Sequence, residues 1–225
     1  MNQTNYIENK FKLLCNTKSD INEHLPVLYE YASKCDSVIE CGVRRCVSSW
    51  ALLHGLLSNP NTSKKRLLLN DITECDISEI IQQTRNDNIL LEYQWCPDIE
   101  LDLVEHYDLV FIDTWHVYGL LKRELTKFGK IAQKYIIMHD TTVDEISSES
   151  VRNKHNIEEK MQQFNFTHDE VCIGLGKAIE DFLYENPNWV VIEKRTNNNG
   201  LTVLKRTQTQ TQTQTQTHTQ PEESF

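Results

Sequence analysis

The chain has 225 residues, 39% of them hydrophobic and 25% charged, which suits one soluble domain with a sizeable core rather than two. Its formal net charge of -10 excludes a general nucleic-acid binder, because phosphate contacts need clustered lysine and arginine. The short basic runs Arg44-Arg45 and Lys64-Lys65-Arg66 suffice only to meet one anionic group of a ligand.

The opening stretch MNQTNYIENKFK has no long apolar run, so neither a leader peptide nor a membrane span is expected there. Helical spacing of Ile21, Leu25, Leu28 and Tyr29 after a Ser19-Asp20 cap makes residues 1–35 an N-terminal helical segment. From Asp36 the pattern changes to short apolar runs separated by helical stretches. Ser37–Glu40 reads as a strand ending in an acid, followed by Gly42 and a helix from Val47 to Leu57. Arg66–Asp71 is a second strand, Asn88–Tyr93 a third and Leu109–Asp113 a fourth. The stripe Val117, Leu120, Leu121, Leu125, Phe128 and Ala132 marks the next helix, and Lys134–Asp140 a fifth strand. A helix over Gly176–Tyr184 then leads to Trp189–Glu193, the turn Asn197-Asn198-Asn199-Gly200 and a returning strand Leu201–Leu204. From Thr207 a Thr-Gln alternation cannot bury enough surface to offset its ordering entropy, so residues 207–225 are expected to be a disordered tail.

Strands apolar on both faces and alternating with helices indicate a parallel sheet covered on both sides. The predicted fold is α/β: a Rossmann-like, doubly wound, mostly parallel seven-stranded sheet with a C-terminal antiparallel hairpin, spanning residues 36–206. Seven cysteines, an odd number without a Cys-x-x-Cys pair, several of them inside apolar runs, read as reduced thiols of a cytoplasmic protein.

Ligands of such sheets bind outside the carboxyl ends of the strands. Those ends read Glu40-Cys41-Gly42, Asn70-Asp71, Asp113-Thr114-Trp115-His116 and His139-Asp140-Thr141-Thr142. Four strands thus deliver a carboxylate to one edge, with two histidines beside them. Gly42 lets a ligand approach the backbone, and the loop's single glycine is not a dinucleotide G-x-G-x-x-G fingerprint. Asp71 is placed either to accept hydrogen bonds from ribose hydroxyls or to cap its own turn. Asp98 either faces an adenine amine or belongs to a Pro-Asp turn. Strand alternation sends His139 and Asp140 to opposite faces, so the two are not both expected in one site.

The segments VIECGVRRCVSSWALLHGL, DLVFIDTWHVYGLLKREL, KYIIMHDTT and GLGKAIEDFLYENPNW…NNNGLTVLKR resemble, in that order, a branch of the class I S-adenosylmethionine-dependent methyltransferases. That branch is grouped with sugar O-methyltransferases and cephalosporin-hydroxylase-like proteins, and the resemblance covers residues 37 to 206. It implies that Glu40, Gly42 and Ser48 contact the methionine part of the cofactor and Asp71 its ribose. It places Asp113 at the methyl-transfer end of the cofactor pocket. It also implies a divalent metal such as magnesium on Asp113 and Asp140, although His139-Asp140 stands where such relatives often carry two adjacent acids. With Asp113, His116 and His139 as catalytic candidates, the expectation is O-methylation of a sugar, glycan or other small hydroxylated acceptor. Trp115 and Tyr118 could stack on a sugar ring or pack at the helix start. No nucleic-acid or membrane partner is expected, and a homo-oligomer is compatible with the sequence. Two rivals are a metal-dependent hydroxylase using two histidines and a carboxylate, and a non-catalytic module that retains the cofactor pocket.

Overall fold

The computed structural model describes residues 3–61, 63–85 and 89–207. The expected tail lies, after Thr207, outside the described residues. Seven strands form one sheet in the order β3-β2-β1-β4-β5-β7-β6, from β1 (Ser37–Cys41), β2 (Lys65–Asp71), β3 (Ile89–Trp95), β4 (Tyr107–Ile112), β5 (Ala132–His139), β6 (Trp189–Arg195) and β7 (Leu201–Arg206). Strands β1 to β5 pair in parallel, and β7 pairs antiparallel with both β5 and β6. The order reverses between β1 and β4, so the topological switch point lies where Gly42 and Asp113 leave their strands.

Why these segments are strands follows from their composition. β1 and β2 are buried on both faces almost throughout, as apolar runs rich in Val, Ile and Leu predict. One face packs under α1 (Gln3–Cys15), α2 (Leu25–Ala32) and α3 (Val47–Ser58), with Leu28, Leu53, Leu56, Leu67, Leu69 and Phe111 in one cluster. The other face packs under α5 (Tyr118–Ile131) and α9 (Leu175–Glu185) through Leu121, Leu125, Phe128, Ile136 and Phe182. Burying each such large side chain stabilises the fold by about 1.5–3 kcal/mol. The N-terminal helices share the first cluster with the sheet, through Ile7, Leu25 and Val27.

Helices α4 (Ser78–Thr84), α6 (Glu149–Arg152), α7 (Ile157–Phe164) and α8 (His168–Cys172) have no counterpart in the sequence-based expectation. They are short; α7 does have an apolar stripe, Ile157, Met161 and Phe164, but it packs on a small cluster with Val117, Phe166 and Val171 rather than on the main core. Ser19 and Asp20 do not cap a helix directly. A 3-10 turn over Asn22–His24 intervenes, and Asn22 Oδ1 accepts from the Ser19 amide at 3.0 Å. All seven cysteines are free, four of them buried. Among the described residues no helix is long and apolar enough to cross a membrane.

Candidate active site

At the carboxyl end of β4 the chain turns through Asp113-Thr114-Trp115-His116 before α5 begins. At the end of β5 it turns through His139-Asp140. Asp140 has φ 56, a left-handed conformation that breaks the strand's alternation. This corrects the expectation that only one of His139 and Asp140 enters the site. His139 Nδ1 lies 3.1 Å from Asp140 Oδ2 and 3.6 Å from Asp113 Oδ1, so both side chains reach Asp113. Backbone strain of this kind costs about 1–3 kcal/mol and persists where surrounding contacts enforce it.

His116 sits at the centre of four acids. Its Nε2 is 3.1 Å from Asp140 Oδ2 and 3.4 Å from Asp113 Oδ1; its Nδ1 is 3.1 Å from Asp144 Oδ2 and 3.6 Å from Glu149 Oε2. Arg152 completes the cluster with two bonds to Asp144, at 2.7 and 2.9 Å. Burial opposes a charge on His116, but the hydrogen bonds to Asp113 and Asp144 prevail and push its pKa up to about 10. His139 is likewise penalised by burial, yet Asp113 and Asp140 raise it to about 9. Burial also opposes the Asp113 carboxylate, and the two imidazoles hold it well below the usual carboxylate range. Four carboxylates therefore face two imidazoles and one guanidinium in a part-buried space.

The hydrogen-bond pattern of His139 decides its chemistry. Nε2 lies 3.1 Å from the Asn198 carbonyl, which can only accept, so Nε2 carries the proton. The opposite nitrogen, Nδ1, then turns toward Asp113 and Asp140. Either it is protonated as well, or its lone pair joins two carboxylates around a cation. One ligand atom from each of Asp113, His139 and Asp140 lies within 4.8 Å of the others, and hard oxygen donors with one imidazole suit a divalent cation. The residues present fit a metal.

The β1 and β2 ends behave differently. Gly42 has φ +96, and a Cβ there would overlap the Asp113 carbonyl, so glycine is required for β1 and β4 to close at this point. Glu40 is fully buried; Ser48 Oγ donates to it, and burial pushes its carboxyl up to about 8 despite that bond. Glu40 and Ser48, expected at the cofactor's methionine end, are thus bonded to each other. Asp71 accepts from the Arg44 amide at 2.9 Å and from both the Thr73 amide and hydroxyl at 2.8 Å. Burial disfavours its charge, and these donors still hold its pKa below normal. Beyond it, Ile72 is 60% and Trp95 59% exposed, an apolar pair beside Asp71 for which the sequence offered no signal. Between Gly42, Ser48, Ile21 and Asp113 lies a cavity of about 110 Å³ onto which the N-terminus of α3 opens without a side-chain cap.

Asp98 is buried rather than open to a ligand, and its Oδ2 has no partner, as is true of Glu124 Oε2. Burial and the charge of Asp98 push Glu124 well above a normal carboxyl, and Thr114 Oγ1 donates to Glu124 at 2.5 Å. Trp115 packs on Phe164 at 4.7 Å, and Tyr118 donates its hydroxyl to Asp181 at 2.9 Å, so both aromatics have internal partners. Sequence reasoning also missed Asp144, Glu149 and Arg152, which lie in a segment without periodicity, and the Asn197–Gly200 turn as a support for His139. Only the proximity of Asp144 to His139-Asp140 in the chain hinted at a role.

No family model matches the chain. A curated relative described as glycerophosphodiester phosphodiesterase GDPDL5, from Arabidopsis thaliana, is 23% identical over 219 residues, covering 90% of this chain but 29% of that protein. This chain thus spans less than a third of that relative's length. Solved structures with a similar fold are methyltransferases. The N-methyltransferase NodS from Bradyrhizobium japonicum aligns with TM-score 0.52 and 12% identity, over 83% of this chain and 94% of its own. The O-methyltransferase TomG from Streptomyces achromogenes, solved with SAM, gives 0.54 and 10%, over 92% and 91%. An O-methyltransferase from Bacillus cereus, solved with SAH, gives 0.51 and 13%, over 89% and 90%. With its reversal between β1 and β4 and its antiparallel β7, the chain has the fold of the class I S-adenosylmethionine-dependent methyltransferases.

Proposed function

We propose that residues 36–206 form a methyltransferase domain that transfers a methyl group from S-adenosylmethionine to a hydroxyl of a small acceptor, a sugar or glycan in the first instance. The observation that carries this reading is the convergence of Asp113, His116, His139 and Asp140 at the switch point of a methyltransferase fold. The free amides at the start of α3 and the cavity beside Gly42 suit the carboxylate of the cofactor's methionine end. Asp71, with three donors already on it, retains one lone pair for a ribose hydroxyl, and Ile72 offers an apolar surface for a purine.

The cofactor supplies an activated methyl on a sulfonium, and a divalent cation supplies Lewis acidity that favours deprotonation of the acceptor hydroxyl. The chain's own residues orient and exchange the proton. Asp113, Asp140 and His139 Nδ1 would hold the cation. Asp144, itself fixed by Arg152, orients His116 through Nδ1, and the raised pKa keeps His116 protonated at neutral pH, so that Nε2 holds the Asp113 and Asp140 carboxylates in place; it takes the acceptor's proton only in its neutral form, toward pH 10. A hydroxylase reading is less favoured, because both nitrogens of His116 are turned to acids, which leaves one histidine rather than two in the candidate metal group.

Calorimetric titration with S-adenosylmethionine, with and without magnesium, tests this reading. Saturable binding supports it, and absence of binding under both conditions overturns it. With a hydroxylated acceptor, the product should gain a CH2 unit; gain of an oxygen would favour the hydroxylase.

A further inference from the structure

Parallel neighbours need a crossover, which is ordinarily a helix, and both faces of a parallel sheet are ordinarily covered. Here β1 reaches β2 through α3, β2 reaches β3 through α4, and β4 reaches β5 through α5. Between β3 and β4 the connection 96–106 contains, as its only regular element, the 3-10 turn Asp98–Glu100, although it must pass β2 and β1. One face of the β2–β3 half is left without a helix. Leu67, Leu69, Leu91 and Tyr93 belong to the core on the α3 side, whereas Leu68, Leu90 and Glu92 alternate onto the open face.

That face is the wall of a groove of about 530 Å³, with Leu90, Val104 and part-buried Leu103 as its accessible apolar part over the buried Leu68 and Tyr107. Leu90 is 40% and Val104 92% exposed. Glu92, Glu100, Asp102 and Glu105 line the same groove. Its one basic residue, Arg66, is already engaged: it pairs with Glu105, donates to the His106 carbonyl at 2.7 Å and lies 4.5 Å above the Tyr107 ring. Among the described residues, Glu92, Glu100 and Asp102 have no ion-pair partner.

We propose that this groove seats an amphipathic helix of a partner protein, apolar toward Leu90 and Val104 and carrying lysine or arginine along its flanks. Seven residues of β3 span about 20 Å at roughly 3.3 Å each, a length covered by about 13 helical residues. A second copy of this chain fits poorly, since it would bring the same acidic rim against itself. The chain's own residues after Arg206 contain two glutamates and no lysine or arginine, so they lack the basic flanks.

The test is an NMR titration of the isotope-labelled full chain with a 15-residue helical Leu/Lys peptide bearing one apolar face. Controls are a Leu/Glu peptide of the same pattern and a Leu/Lys peptide of scrambled order. Expected are shifts confined to residues 66–68, 89–96 and 100–107, with affinity at least tenfold above both controls. Leu90→Glu should abolish binding, and Glu92→Lys with Asp102→Lys should move the preference to the acidic peptide. The charge-reversed chain carries the test if Leu90→Glu does not fold. Shifts elsewhere, equal binding of the three peptides, or no binding would overturn the proposal. So would a concentration-dependent dimer that Leu90→Glu dissolves, which would assign the groove to a second copy.

Discussion

The carboxyl edge of the sheet has two halves built from the same kind of residue. At the β1 and β2 ends, Glu40 and Asp71 are bonded by neighbours in sequence or by the adjoining loop: Ser48 to Glu40, and the Arg44 and Thr73 amides to Asp71. At the β4 and β5 ends, Asp113 and Asp140 instead meet imidazoles from other loops, and Asp144 and Glu149 arrive from a segment further along the chain. An acid that satisfies local amides shapes a loop. Acids whose partners are titratable groups from several elements form a concentrated charge that a cation or a proton can enter and leave.

The contrast is broken most strongly by Asp113→Asn. It should lower methyl transfer at least about a hundredfold, or about 2.7 kcal/mol, and weaken magnesium binding in calorimetry, while the cofactor still binds. Loss of the fold without prior loss of metal affinity would make Asp113 a structural acid. Next in size, Asp71→Ala removes the acceptor for Arg44 and Thr73 and should weaken S-adenosylmethionine binding by about 1–3 kcal/mol, with magnesium affinity unchanged. Unaltered cofactor affinity would leave Asp71 as a loop anchor alone.

Glu40 separates the halves by pH. Its carboxyl is raised from 4.5 to about 8 in the folded chain, so the folded state keeps a proton that the unfolded state releases. The stability it contributes is fully present below pH 4.5, declines as pH rises to 8, and changes no further above that, with a slope of at most about 1.4 kcal/mol per pH unit. Glu40→Gln should flatten this slope in denaturant titrations across that window; a slope identical to the parent's would show that Glu40 is not the group responsible. The smallest effect is expected from Asn198→Ala. It deletes side-chain bonds to the Ser19 carbonyl and the Glu23 amide, each at 3.0 Å, but keeps the backbone carbonyl that faces His139. Stability should fall by about 1 kcal/mol with metal affinity intact. A parallel loss of metal affinity would mean that the side chain, through the turn, also holds His139 in place.

Much of the fold was legible because its signals are local. The runs Leu67-Leu68-Leu69 and Ile136-Ile137-Met138 could only be buried strands, the 117–128 stripe only a helix face, and Asn197–Gly200 only a tight turn, realised with φ 45, 71 and 101 at its last three residues. Short helices such as α7 escaped because two turns hold too few apolar residues for the period to stand out: Ile157, Met161 and Phe164 are its whole stripe, packed on a small satellite cluster. The site was half legible: strand-end acids announce an edge, but not which of them converge.

What the sequence by itself determined is the alternation of elements and the delivery of Glu40, Asp71, Asp113 and Asp140 to one edge, since strand period and polarity are properties of neighbouring residues. Only the tertiary structure decided that Asp140, in a left-handed conformation, turns back toward Asp113, and that Asn198 sets the proton on His139. Only it showed Asp144 and Arg152 closing around His116, and one face of β2–β3 left without its helix. These depend on contacts between residues tens of positions apart, whose cost and gain are settled by packing and charge in three dimensions and leave no periodic trace in the chain.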